Sequence, residues 1–457
     1  MKVRIFLFFC LFSNITWGQK VNDRVHLIKG DGMEIVWLEE NRFPTYDLTV
    51  YFAEGSLGED PKLAGISNSM FDLLTYGTKE YNQQYIHNFL EFYGASYGGM
   101  VASEYSLFNL SGLNKDFEPT LTFLCKLFKT ATFPDSEVLK DSEKKIATLK
   151  NMVTSHPALA SRIYRHLLTQ NTLLNSESTG TLKTLASINS QDLKKRLDFY
   201  NQKVFKRVYL SGPKQLVKST QEILQKECEW KNSKDVKQIS FSLKNEFKDR
   251  PIYFVPVKEA NQAQVFMGRL LDKSEVLSSN LYSLAFDFLG GSYTSKLNEE
   301  LRTKRGLTYG AYAKYSEQKN YAVVSIQTST RSEKVVEMLE VIEKLLTSIS
   351  AEEQDGISQE EFEKTVKYSA GSFFFEFEEN ADFLGNLLTY DHLQKSYQEL
   401  YAFPYAIKEF SKESLQRAFK KIFESSQMVI LVLGEDKILP WLKKKGHVQV
   451  LSYKDYL

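Results

Sequence analysis

The chain is poor in cysteine, proline and unbalanced charge. Three Cys among 457 residues exclude a scaffold held together by disulfides. With only 10 Pro and 23 Gly, collagen-like and low-complexity architectures are excluded as well. Lys and Arg total 58 against 57 Asp and Glu, a formal charge of +1, so no basic excess exists to recruit nucleic acid or an anionic membrane. Histidine is scarce: His26, His87, His156, His166, His392 and His447 are the full set. No two of them stand four apart, so no helical pair of the zincin type is available. Neither a G-x-S-x-G elbow nor a P-loop occurs. No segment beyond the N-terminus holds the run of about 20 apolar residues that a membrane-spanning helix needs.

What is present is a large apolar and aromatic content. Hydrophobic residues make up 42% and aromatics 13%, with 32 Phe and 25 Tyr, enough for sizeable cores. The length points to two domains or more. Residues 1–18, MKVRIFLFFCLFSNITWG, put Lys2 and Arg4 ahead of an unbroken apolar run from Ile5 to Phe12. Thr16 and Gly18 are small residues placed for cleavage before Gln19, which is the anatomy of a secretory signal peptide. Export to the periplasm is the expectation, with release from the cell the other possibility. The mature chain keeps Cys125 and Cys228. Cys125, in the apolar helical run LTFLCKLF, reads most simply as a small buried hydrophobe. Whether the two bridge is not decided by the sequence.

A weak repeat organises the rest. QDLKKRLDFYNQKVFKRVYLSG (191–212) and ESLQRAFKKIFESSQMVILVLG (413–434) each run from an amphipathic helix into an apolar strand that stops at Gly. Leu193 and Leu415 are 222 apart, as are Gly212 and Gly434, which points to a duplicated unit. The polar stretch 231–248 separates the copies and reads as a linker. The expected division is a signal peptide at 1–18, one half at 19–230, the linker, and a second half at 249–457. Alternation in DLTVYFA (47–53) predicts a strand, and apolar spacing at 66, 70, 73 and 74 predicts a helix. Helices are also predicted over 117–130, 277–289, 292–304 and 359–388. The run Phe373-Phe374-Phe375 with Phe377 reads as core on a long helix apolar on most sides.

Several segments, taken in order, carry a resemblance. They are GSLGEDPKLAGISNSMFDLLTYGT (55–78), FYGASYGGMVASEYSLFNLSGL (92–113), FPDSEVLKDSEKKIATL (133–149) and LGGSYTSKLNEELRTKRGLTYGAYAKY (289–315). The chain resembles the pitrilysin/insulinase-type zinc metallopeptidases, the inverzincins, over nearly its whole mature length. That resemblance implies an α+β fold of two homologous halves, each a mixed, mainly antiparallel sheet with helices packed on one face. It also implies that the metal motif has been erased. The family's H-x-x-E-H falls on Asn68-Ser69-Met70-Phe71-Asp72. Its ligand positions are then Asn68 and Asp72, its general base is Phe71, and its distal ligand falls on Thr148. Catalytic zinc takes three protein ligands and an open position, and the base must be titratable. This set supplies neither.

Arg302 and Tyr309, in LRTKRGLTY, are the surviving pair. Taken alone, Arg302 reads as a solvated helix-end charge and Tyr309 as a half-buried strand aromatic. The resemblance instead gives them a role in holding the substrate backbone and stabilising an oxyanion. Some relatives are built from a zinc-bearing chain and a second chain that supplies this pair. The chain is therefore expected to be the non-catalytic subunit of an exported heteromeric metallopeptidase. It would bind no cofactor, with zinc in a partner subunit of the same family (a heterodimer or heterotetramer) and a peptide held as an added strand. A non-enzymatic scaffold or peptide-binding protein of the same fold is the alternative.

Overall fold

The computed structural model describes residues 23–29, 33–170, 172–230, 251–351, 356–423 and 428–457. The signal peptide and the linker read from the sequence lie outside the described residues. Two six-stranded sheets form the frame. The first contains β1 (Val25–Lys29), β2 (Glu34–Glu39), β3 (Thr45–Phe52), β4 (Ser96–Val101), β5 (Ser106–Leu113) and β6 (Lys206–Gly212), in the order β1-β2-β6-β3-β5-β4. The second contains β7 (Ile252–Pro256), β8 (Ala263–Asp272), β9 (Ala311–Glu317), β10 (Tyr321–Thr330), β11 (Val429–Gly434) and β12 (Val448–Val450), in the order β12-β7-β11-β8-β10-β9.

The repeat seen in the sequence is a repeat of topology. β6 and β11 are the strands that end at Gly212 and Gly434, and each is third in its sheet. Each runs parallel to one neighbour, β2 or β7, and antiparallel to the other, β3 or β8. The copies differ at the outermost strand. β1 precedes β2 and pairs antiparallel, whereas β12 comes from the C-terminus and pairs parallel with β7.

The helices that matter for the site are α1 (Ile66–Asp72), α2 (Gln83–Phe92), α3 (Phe117–Thr130), α4 (Asp135–Asn151), α5 (His156–Thr169) and α6 (Ser190–Lys203). The second half adds α7 (Ser279–Gly290), α8 (Val335–Ser350), α9 (Gln359–Ser372), α10 (Asn380–His392), α11 (Tyr397–Ala406) and α12 (Lys412–Ile422). In the first half α1, α3 and α6 bury Phe71, Leu121, Phe128, Leu193 and Tyr200 against one sheet face. In the second half α7, α8 and α12 do the same.

The opposite faces are covered by exchange. α5 of the first half lays Leu159, Ile163, Tyr164 and Leu167 on Tyr253, Val255, Phe266 and Leu431 of the second sheet. α10 and α11 of the second half lay Phe383, Leu387, Leu388 and Leu400 on Val36, Leu38, Tyr51 and Tyr209 of the first. This explains why the central strands read as near-continuous apolar runs: both of their faces are buried. DLTVYFA alternates only at its start, and Val50, Tyr51 and Phe52 are all buried because Tyr51 meets α10. The helix predicted over 359–388 is broken. α9 ends at Ser372, Phe373–Phe377 forms a tighter 3-10 turn, and α10 starts at Asn380. Phe373 and Phe377 are buried on the first sheet while Phe375 is exposed, so the phenylalanine run splits between core and surface. Cys125 of α3 and Cys228 are joined in a disulfide, with Cα atoms 4.4 Å apart. Cys125 is thus buried as half of a bridge, not as a free thiol. Among the described residues no helix is long and apolar enough to cross a membrane.

Candidate functional site

α1 starts at Gly65, whose φ of +92° disfavours any residue with a Cβ. The buried Glu59 carboxylate caps the helix by accepting the Gly65 N–H at 2.8 Å and the Ser67 N–H at 2.9 Å. Ile66, Met70 and Phe71 are buried toward the sheet. Asn68 and Asp72, one turn apart, consequently line the outer side of the helix, together with residues of α4. Along α4, Asp141, Lys145 and Thr148 follow at helical spacing and form one stripe. Between the two helices lies a cleft of about 600 Å³, lined by Asn68, Asp72, Tyr76, Asp141, Lys145 and Thr148. Burial, helped by the Asp141 charge, raises the pKa of the Tyr76 phenol.

The four positions picked from the sequence behave differently. Asn68 donates its side-chain amide to the Ser178 carbonyl at 3.0 Å. Phe71 is 3% exposed and packs in an aromatic cluster, with ring centroids 5.4 Å from Tyr200 and 5.8 Å from Phe52 and Phe108. Gly99 of β4 lies so close that a Cβ there would stand 2.4 Å from the Phe71 Cβ. Thr148 turns its hydroxyl back on its own helix, donating to the Lys144 carbonyl at 2.9 Å. Asp72 is ion-paired with Lys145 at 2.7 Å. So Asn68, Asp72 and Thr148 come together at one cleft, and Phe71 faces away from it into the core.

Sequence reasoning missed Lys145. Its Nζ also reaches Asp141 at 2.9 Å and the Ser69 hydroxyl at 2.8 Å. The available signal was an Asp and a Lys at i, i+4 on the helix assigned the distal ligand, a pattern that on most helices marks only a solvated pair. These residues do not fit zinc. Of the four positions that the resemblance assigns, Asp72 is held by an ammonium, the Asn68 amide and the Thr148 hydroxyl are turned elsewhere, and Phe71 is a buried ring that cannot act as a base. Among the described residues no group of three or more His, Cys, Asp or Glu gathers that could hold a metal ion.

Arg302 and Tyr309 lie apart from this cleft. Arg302 sits in the π-helical turn Glu299–Thr303, which is closed by Gly306 at φ +60°. The Gly306 N–H bonds the Arg302 carbonyl at 3.0 Å, and the Leu307 N–H bonds that of Leu301 at 2.8 Å. The guanidinium lies 5.0 Å from the centre of the Tyr293 ring, and no acid pairs with it among the described residues. Tyr309 is 84% exposed rather than half-buried. Tyr293 and Tyr312 are exposed as well.

Comparison with known proteins identifies the family. The family model described as insulinase (peptidase family M16) matches residues 35–184, and that described as the peptidase M16 inactive domain matches 207–368. This chain belongs to the M16 peptidase family. Two curated relatives match about three quarters of the chain. An "uncharacterized zinc protease YmxG" of Bacillus subtilis is 24% identical over 76% of this chain and 83% of the relative. A "non-peptidase homolog YmxG" of Helicobacter pylori is 23% identical over 74% and 77%. Among solved structures, a peptidase M16 inactive domain from Pseudomonas fluorescens superposes with a TM-score of 0.76 at 21% identity, covering 90% of this chain and 98% of that one. The first half of the periplasmic protease PqqL of Escherichia coli gives 0.71 at 13% identity, covering 93% and 94%. The M16 fold of two like halves is thus shared throughout, and this chain is an M16 homologue whose cleft lacks the family's catalytic set.

Proposed function

We propose that the chain is the non-catalytic subunit of an exported heteromeric M16 metallopeptidase, organised as halves 19–230 and 249–457 behind a signal peptide at 1–18. It would form one side of a peptide chamber and present Arg302 and Tyr309 to a zinc-bearing partner of the same fold. The observation that carries this reading is a contrast within the one chain. In the first half, Phe71 is buried in the core and Asp72 is tied to Lys145, while in the second half the Arg302 guanidinium meets only the Tyr293 ring among the described residues and the Tyr309 phenol is exposed. A guanidinium and a phenol are preorganised donors suited to a substrate carbonyl that gains negative charge. The Cys125–Cys228 bridge supports export, because disulfides persist in oxidising compartments.

The test is native purification with identification of any co-purifying chain, followed by assay of the reconstituted pair. A companion bearing H-x-x-E-H is expected. The chain alone should hydrolyse no peptide, and Arg302→Ala or Tyr309→Phe should lower turnover of the pair by about ten- to a thousandfold without changing assembly. Unaltered turnover in both variants would remove the oxyanion role. One observation favours a second reading, a scaffold or peptide-binding protein: the Helicobacter pylori relative is named a non-peptidase homolog. Recovery of a homodimer, or of an unrelated partner, would select it.

A further inference from the structure

We infer that Lys145 is a built-in cation. Its ammonium joins α1 to α4 across the cleft, so the site keeps its shape with no metal and is closed to one. The geometry is that of a filled site. An ammonium has three N–H donors and no acceptor. The three donors of Lys145 meet three acceptors: Asp72 at 2.7 Å, Asp141 at 2.9 Å and the Ser69 hydroxyl at 2.8 Å. Two of these come from α1 and one from α4, so the contact spans the two helices that wall the cleft.

A solvent-exposed ion pair of this kind would contribute little. Here the arms differ. The Asp72 side chain is 47% exposed, and its arm is screened by water. The Asp141 side chain is 12% exposed, the Lys145 side chain 21%, and Ser69 is 3% exposed. Removing the ammonium leaves Asp141 partly buried without its ion-pair partner, facing Asp72 across the gap, with only Lys140 and Lys144 as other cations on the cleft wall among the described residues. An uncompensated buried charge costs more than the pair itself contributes. The donors left behind are two carboxylates and a hydroxyl, an all-oxygen set suited to hard divalent cations at weak affinity. The lock is independent of the assembly proposed above, since a pure scaffold would need it equally.

The experiment is thermal unfolding of the full chain and of Lys145→Met, in chelator and in millimolar Ca²⁺ or Mn²⁺. The wild-type midpoint is expected to ignore the cation. That of Lys145→Met should drop by several degrees in chelator and recover part of the loss with the cation. Recovery should vanish in Lys145→Met/Asp141→Asn, which should itself melt above the single variant in chelator. If Lys145→Met does not fold, the double variant decides: refolding supports the ammonium, and continued failure assigns the defect to shape and overturns the inference. A Lys145→Met midpoint equal to wild type in chelator, or one blind to the cations, overturns it as well.

Discussion

At the scale of single residues, the lost chemistry of the cleft is locked in by packing. Phe71, at the position where the resemblance puts the family's base, is part of the core: Phe52, Phe108 and Tyr200 surround it, and Gly99 has no side chain to oppose it. Restoring the base alone should therefore fail. Phe71→Glu would bury a carboxylate among aromatics with no partner and leave a void where the ring stood. Removing a buried phenylalanine costs about 3–5 kcal/mol even before a charge is introduced. The variant should unfold at markedly lower denaturant than wild type, and equilibrium dialysis should find no stoichiometric zinc in it. Wild-type stability with bound zinc would show that the site is only one substitution from function.

At the scale of elements, the exchanged helices tie the halves together. Leu387 of α10 is fully buried on the first sheet. Leu387→Ala should cost about 2–5 kcal/mol in urea unfolding. Because α10 covers one sheet while belonging to the chain of the other, the loss should appear as an earlier single transition. Two separated transitions would mean that each half stands alone. This exchange also marks the limit of what the sequence made legible. Apolar spacing placed α3 at Phe117–Thr130, and the 222-residue offset picked out the strands that became third in each sheet. An amphipathic stripe says that a face is buried but not against which sheet, so α5 and α10 gave no sign of crossing over. The same limit explains Phe375, assigned to a helix core and found exposed after the helix tightened into a 3-10 turn. At the site, ordered motifs singled out Asn68, Phe71, Asp72 and Thr148, of which folding gathers Asn68, Asp72 and Thr148 at one cleft. Lys145 stayed hidden because its significance depends on Ser69 and Asp72, brought to it only by folding.

At the scale of the whole molecule, the two halves meet through polar groups as well as apolar ones, and this makes their union sensitive to acid. His392 ends α10 and is 5% exposed. Its Nδ1 is 3.0 Å from the Tyr51 hydroxyl of the first sheet, and its Nε2 is 3.1 Å from Glu104, which follows β4. The Tyr105 ring packs on it, and the Lys319 backbone N–H, from between β9 and β10, also reaches Glu104 at 3.3 Å. Burial lowers the imidazole pKa below its ordinary value; the Glu104 carboxylate opposes that shift and the Lys319 charge adds to it, with burial prevailing. The sign follows from where the proton goes. Above about pH 6.5 the ring is neutral in both folded and unfolded chains, and the full contribution of the contact is present. As the pH falls, the unfolded chain takes up the proton first, so stability is lost down to the lowered folded-state value. Each unit of that shift corresponds to at most about 1.4 kcal/mol. The wild-type melting temperature should therefore fall between about pH 7.5 and pH 5. His392→Gln, which keeps an amide to bond Tyr51 or Glu104 but does not titrate, should start lower and show a flatter slope over the same range. Parallel curves for the two proteins would mean that the acid sensitivity lies elsewhere and that the polar seam between the halves is inert to protons.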